Sequence, residues 1–235
     1  MKTRSVEMVA TPSTPHFVGD GFRVHNFIPS YPRMDMKRMD PFIMLDYNSK
    51  YIFPASKYPK GVGVHPHRGF ETVTIAYKGK IEHADSSGGG GIIAEGDVQW
   101  MTAGSGLLHE EFHSEAFVQR GGNFQMAQLW VNLPAKDKNA APRYQHLSAG
   151  NIPTITLQGG AGHLRVIAGK YGDAIGVAET FTPIDLWDLR FTGRKPPVVL
   201  AVPEDHTTAI VVLEGSIEIE GSILGSGMLG VYNRE

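Results

Sequence analysis

Two short pairs of metal-capable residues stand out in this chain of 235 residues: His65 and His67, separated by Pro66, and His109 and Glu111, separated by Glu110. On a β-strand, residues two apart project from the same face. If each pair lies on a strand, Pro66 and Glu110 face away. Two such strands paired inside a barrel would then bring three imidazoles and one carboxylate to a single point. That nitrogen and oxygen set suits one divalent transition ion, Fe(II), Ni(II), Mn(II), Co(II), Cu(II) or Zn(II). It leaves one or two positions open on an ion that prefers five or six ligands, which metal-assisted catalysis requires. His-Pro-His alone is a weak signal among ten histidines, and the second pair is what gives it weight. The glycines of TAGSGLLHEE (102–111) let the backbone bend before that second pair.

The elements that must carry these pairs read as strands. Short runs rich in Val, Ile, Thr and aromatics, such as ETVTIAY (71–77), FQMAQLWVNL (124–133), TAIVVLEG (208–215) and SIEIEGSIL (216–224), are punctuated by 28 glycines and 15 prolines. Several alternate with period two, and no segment sustains a helical period, so an all-β sandwich or barrel is expected. SSGGGG (86–91) lacks the Lys-Ser or Lys-Thr of a phosphate loop and reads as a flexible hairpin connector. KDKNAAP (136–142) is the best linker, with its charges expected to be solvated. Across it runs a weak repeat: TVTIAYKGKIEHAD (72–85) is similar to TTAIVVLEGSIEIEG (207–221), with Gly79 matching Gly215, and AEGDVQW (94–100) is similar to GSGMLGV (225–231). Two similar barrels in tandem would explain this. In the second copy Ala201 and Pro203 stand opposite His65 and His67, so only the first can hold the ion.

Composition narrows the chemistry. There are no cysteines, which excludes disulfides, thiolate sites, iron–sulfur clusters and cysteine nucleophiles. The net charge of -2 is spread without a basic stripe, so direct nucleic-acid binding has no electrostatic support. The N-terminus lacks the apolar core of a secretion signal, and no apolar run is long enough to span a bilayer. A cytoplasmic protein without membrane contact is expected.

HPHRGFETVT (65–74) followed by GDVQWMTAGSGLLHEE (96–111) resembles the two signature segments of the pirins, a branch of the cupin superfamily. DGFRVHNFIPS (20–30), DPFIMLDY (40–47) and FQMAQLWVNLP (124–134) extend the resemblance over at least residues 17–150. It implies two tandem jelly-roll-like cupin barrels: residues 1–137 with the metal site, and residues 138–235 degenerate, truncated and without metal ligands. It also implies His65, His67, His109 and Glu111 as ligands of an ion, Fe(II) first among those named above. Glu71 sits where many cupins place a ligand glutamate, a role that pirins give to the later His-x-Glu. The implied activity is a quercetin 2,3-dioxygenase, which cleaves the flavonol ring with O2 and releases carbon monoxide. Its substrates are a small aromatic flavonol and O2, and Glu111 is the catalytic residue, accepting the substrate hydroxyl proton and returning it as general acid. The alternative is a non-catalytic, metal- or redox-responsive regulator that binds a transcription factor or metabolic enzyme. A monomer is expected.

Other residues carry two readings. His113 could replace a ligand or be a partly exposed strand histidine. Trp100 and Met101 could wall a cavity or pack a core, and Phe42 fits core better than cavity. Arg68 and Glu71 could pair. His83, His146, His163 and His206 have no partner pattern and read as structural or surface residues.

Overall fold

Alternation of buried and exposed side chains, clearest in LLHEEFH (107–113), where Leu107, His109, Glu111 and His113 are the buried positions, builds about half of this chain into strands. The computed structural model describes residues 3–193 and 197–234. Its strands are β1 (Val6–Ala10), β2 (His16–Val18), β3 (Phe22–Ile28), β4 (Phe42–Phe53), β5 (Gly61–His67), β6 (Phe70–Lys78), β7 (Ile81–Asp85), β8 (Gly90–Ile93), β9 (Val98–Thr102), β10 (Leu107–His113) and β11 (Gly122–Asn132). There follow β12 (Arg143–Leu147), β13 (Thr154–Thr156), β14 (Gly162–Ala168), β15 (Lys170–Tyr171), β16 (Ala174–Ile175), β17 (Leu186–Phe191), β18 (Ala209–Val211), β19 (Ser216–Ile219), β20 (Ser222–Gly225) and β21 (Leu229–Tyr232). Among the described residues the α-helices are short, Met36–Met39 and Glu115–Arg120, so the all-β expectation holds.

Two antiparallel sheets face each other in the first half. One runs β5-β10-β7-β8, the other β12-β9-β6-β11-β4-β3-β2. The large sheet is covered on both sides, which is why β6 and β9 show nearly continuous burial instead of alternation. Its inner face presents Thr74 and Gln99 to Glu111. Its outer face presents Val73, Ile75, Val98, Trp100 and Val131 to Leu147, Ile152, Ile167 and Ile184, forming a core shared with the second half.

The two halves also interlock through the backbone. Strand β1 pairs with β21, and β12 pairs with β9, so pairing crosses residues 137 and 138 in both directions. Arg165 bonds Asp188 at 3.1 Å and the carbonyl of Gly96, tying β14 to the turn before β9. The sequence repeat has a structural counterpart. Strand β6 pairs with β9 as β18 pairs with β21, and Gly79 and Gly215 follow β6 and precede β19 with φ of 91° and 79°.

SSGGGG joins β7 to β8 as a hairpin. Within the charge run of the linker Lys136 is exposed, as expected, whereas Lys138 is tied down. Lys138 Nζ donates to the Gly69 carbonyl at 2.8 Å and to Asn132 Oδ1 at 2.7 Å, because the linker folds back over the β5–β6 turn.

Candidate metal centre

Pairing of β5 with β10 sets His65 directly opposite His109, and His67 opposite Leu107. Both histidines of the first pair therefore share a face with His109, while Pro66 is exposed, as alternation requires. The register then shifts between His109 and Glu111, which lies opposite Val62. Ring centroids of the three imidazoles are 4.3 to 4.8 Å apart. One nitrogen from each of His65, His67 and His109 falls within 4.8 Å of the others.

The donor set fits a cation. His65 Nδ1 lies 2.8 Å from the Gly63 carbonyl, an acceptor only, so in the neutral ring Nδ1 carries the proton and Nε2 a lone pair. That Nε2 lies 2.8 Å from His109 Nε2. Burial pushes the His67 imidazole down to about 4 and that of His109 to about 2, with the neighbouring histidines adding to both. Near pH 7 these two rings are neutral and present lone pairs, the form a divalent ion binds.

Glu111 lies two residues beyond His109 on β10, is also buried, and closes a different group. Its carboxylate clusters with His83 and His109. Gln128 Nε2 donates to it at 3.0 Å, Thr74 Oγ1 at 3.4 Å, and Gln99 Nε2 also donates. The structure thus brings three of the four expected ligands onto one point and holds the fourth beside them in a cradle of amides. Gln99 and Gln128 were not singled out in the sequence. His83, read as structural or surface, is not at the surface: it is 2% exposed, lies 3.3 Å from His109 through the two Nδ1 atoms, and stacks on Tyr144. Its signal was the alternation of IEHAD, where Ile81 and His83 are the buried positions.

The site opens into a cavity of about 1160 Å³. Trp130 packs edge-on against His67 with 5.1 Å between centroids, and Phe70 stacks on Trp130 at 4.6 Å. Met44, Met126 and Leu107 extend the apolar wall. Trp100 and Met101 do not line it: they pack in separate cores, and Phe42 likewise joins the apolar core. His113 is buried, not exposed, and sits among Phe22, Phe53, Phe117 and Phe124. The expected pairing of Arg68 with Glu71 does not form. Arg68 is exposed and donates to Asn139. Glu71 is buried and accepts from Thr102 Oγ1 at 2.7 Å. His163 is exposed, and His146 and His206 lie 3.5 and 3.7 Å from Asp97 and Asp185.

Comparison with known proteins places this geometry in context. The family model described as Pirin matches residues 21–131. A Pseudomonas aeruginosa protein named "Putative quercetin 2,3-dioxygenase PA2418" is 48% identical over 220 residues, 94% of this chain and 76% of that protein. Pirin-1 of Arabidopsis thaliana is 38% identical over 89% of this chain and 67% of its own length. A crystal structure of quercetin 2,3-dioxygenase from Acinetobacter baumannii is 48% identical, superposes with a TM-score of 0.93, and is matched over 100% of this chain and 81% of its own.

Proposed function

The chain belongs to the pirin family, and from that membership we propose that it is a metal-dependent dioxygenase with quercetin 2,3-dioxygenase activity. One observation carries the reading: imidazoles converge beside a carboxylate at the floor of an aromatic-walled cavity. The A. baumannii structure named as a quercetin 2,3-dioxygenase, with its TM-score of 0.93, supports it. In this reading His65, His67, His109 and Glu111 hold the ion, Fe(II) in the first instance. Bound there, the ion would supply a Lewis acid favouring the ionised form of a flavonol 3-hydroxyl.

The chain's own groups do the rest. Glu111 takes the hydroxyl proton at a carboxylate oxygen and later returns it, the general base and acid of the cycle. Gln99, Gln128 and Thr74 keep that carboxylate aimed while its charge changes. Trp130 and Phe70 offer flat apolar surface to the aromatic rings and exclude water around the electron-rich flavonolate that O2 attacks. The site belongs to the first of two cupin barrels, whose division in sequence at residues 137 and 138 is crossed by the pairing of β1 and β12, in a monomeric cytoplasmic protein.

The test mixes anaerobically prepared, Fe(II)-loaded protein with quercetin and air. Loss of the flavonol absorbance with release of carbon monoxide is the expected result, and Glu111→Gln should retain metal while turnover falls by about 10²- to 10⁴-fold. No turnover with Fe(II), Ni(II), Mn(II), Co(II), Cu(II) or Zn(II) overturns the proposal and leaves the regulatory alternative.

A further inference from the structure

Behind His109, on the side of its ring away from His65, runs a second line of polar contacts that the proposed reaction does not use. His83 Nδ1 is 3.3 Å from His109 Nδ1, and His83 Nε2 is 3.2 Å from Asp85 Oδ2. Both His83 and Asp85 have fully buried side chains. The direction of this chain follows from its end. An ionised carboxylate only accepts, so His83 Nε2 carries a proton, and neutral His83 keeps a lone pair at Nδ1. His109 must then donate from Nδ1, which leaves its Nε2 bare and facing His65.

Asp85 is itself fixed. Its other oxygen accepts from the backbone N–H of Ser87 at 2.8 Å, the Ser87 hydroxyl at 2.6 Å and the N–H of Gly89 at 3.1 Å. Burial raises its carboxyl, but the hydrogen bonds from Ser87, His83 and Gly89 outweigh it and hold the group below its ordinary value. A Cβ on Gly89 would fall on that carboxylate and come within 2.7 Å of Tyr144 Cβ, so the glycine is what lets the loop wrap Asp85. Tyr144 stacks on His83 with 4.9 Å between centroids at 16°. The same loop is pinned to β10 beside His109, with Ser86 N donating to the Leu108 carbonyl at 2.8 Å and Leu108 N to Ser86 Oγ at 3.0 Å.

We propose that Asp85 and His83, held by the SSGGGG loop and Tyr144, are positioning residues that lock His109 in the Nδ1–H tautomer with Nε2 aimed at the metal position. The proposal rests on the reading of His109 as a ligand. Groups that orient a ligating imidazole through its other nitrogen typically change metal affinity by 10- to 100-fold when removed.

Two measurements test it. Long-range ¹H–¹⁵N correlation on metal-free protein labelled at histidine reads each tautomer directly. His109 is expected as Nδ1–H and His83 as Nε2–H. His109 protonated at Nε2 overturns the proposal even if the protein binds metal. Co(II) titration then compares wild type with His83→Phe, which keeps a ring against Tyr144, and with Asp85→Ala. Both variants are expected to bind one equivalent, weaker by about 10- to 100-fold. Unchanged affinity overturns the proposal, as does a second Co(II) equivalent lost in His83→Phe, which would make His83 a ligand. Wild type that binds no Co(II) instead defeats the metal reading, while the tautomer measurement still decides the role of Asp85 and His83.

Discussion

The β6–Gly79–β7 and β18–Gly215–β19 segments share a frame and differ in what they enclose. In the first, β6 and β9 face β7 and β10 and enclose Thr74, His83, Gln99, His109 and Glu111, all buried. In the second, the buried positions are Val212, Leu224, Leu229 and Val231. Buried polar groups are costly unless hydrogen-bonded, and each of the five in the first region lies within hydrogen-bonding distance of another of them. The second needs only shape. A shared backbone plan therefore says little about chemistry, and the difference lies in side chains that satisfy one another across strands.

Predictions follow from breaking one side of this comparison at a time. The largest effect is all-or-none. His109→Ala should reduce Co(II) or Zn(II) bound after dialysis from one equivalent to none, measured by elemental analysis. Leu229→Ala on the other side should leave metal content unchanged and destabilise by roughly 2–5 kcal/mol in urea unfolding. Loss of metal in the Leu229 variant under folding conditions would dissolve the distinction between the regions.

Trp100 is fully buried in the core that joins the first region to residues 147–184 of the second half. Trp100→Ala should cost roughly 3–5 kcal/mol, and near- and far-ultraviolet circular dichroism should still trace one transition. Two separated transitions would show that the halves fold independently.

The matched glycines give a finer test. A Cβ at Gly79 would come within 2.6 Å of the Phe124 ring, whereas nothing lies within 4 Å of one at Gly215. Gly215→Ala should cost only the left-handed backbone penalty of roughly 1–2 kcal/mol. Gly79→Ala should add overpacking of about 1–3 kcal/mol. Equal costs would mean that the aromatic cluster yields freely.

The smallest effect concerns Glu71, on the outer face of the seven-stranded sheet. Burial raises its carboxyl above the ordinary value, and the Thr102 hydroxyl lowers it without reversing the direction. Its favourable contribution is therefore full below the ordinary carboxylate pKa of 4.5 and lost as pH rises through the folded value. Glu71→Gln should melt above wild type at pH 7, by a margin that shrinks as pH falls towards 4.5. A margin that grows on acidification would refute the assignment.

Much of the fold was legible along the chain. The expected strands 71–77 and 124–133 appear as β6 (Phe70–Lys78) and β11 (Gly122–Asn132), because their β-branched and aromatic residues sit between glycine and proline breaks. TAIVVLEG yields only the three residues of β18, although its composition is as strand-like, since a strand also needs a neighbour to pair with. Glu71 was misplaced for a related reason. Arg68 lies only three residues away, but alternation and the β5–β6 turn send the two side chains to different surroundings.

By itself the sequence determined the donor chemistry on offer and the two candidate pairs, His65 with His67 and His109 with Glu111. Absence of cysteine leaves nitrogen and oxygen, and side-chain alternation is a local property that two-residue spacing reveals. Only the tertiary structure decided what stands behind those pairs. His83 and Asp85 against His109, and Gln99 and Gln128 around Glu111, come from other strands and one hairpin loop. Their meeting depends on register, on the shift between His109 and Glu111, and on a loop closed by Gly89. Register is a relation between strands, and spacing within any one of them does not contain it.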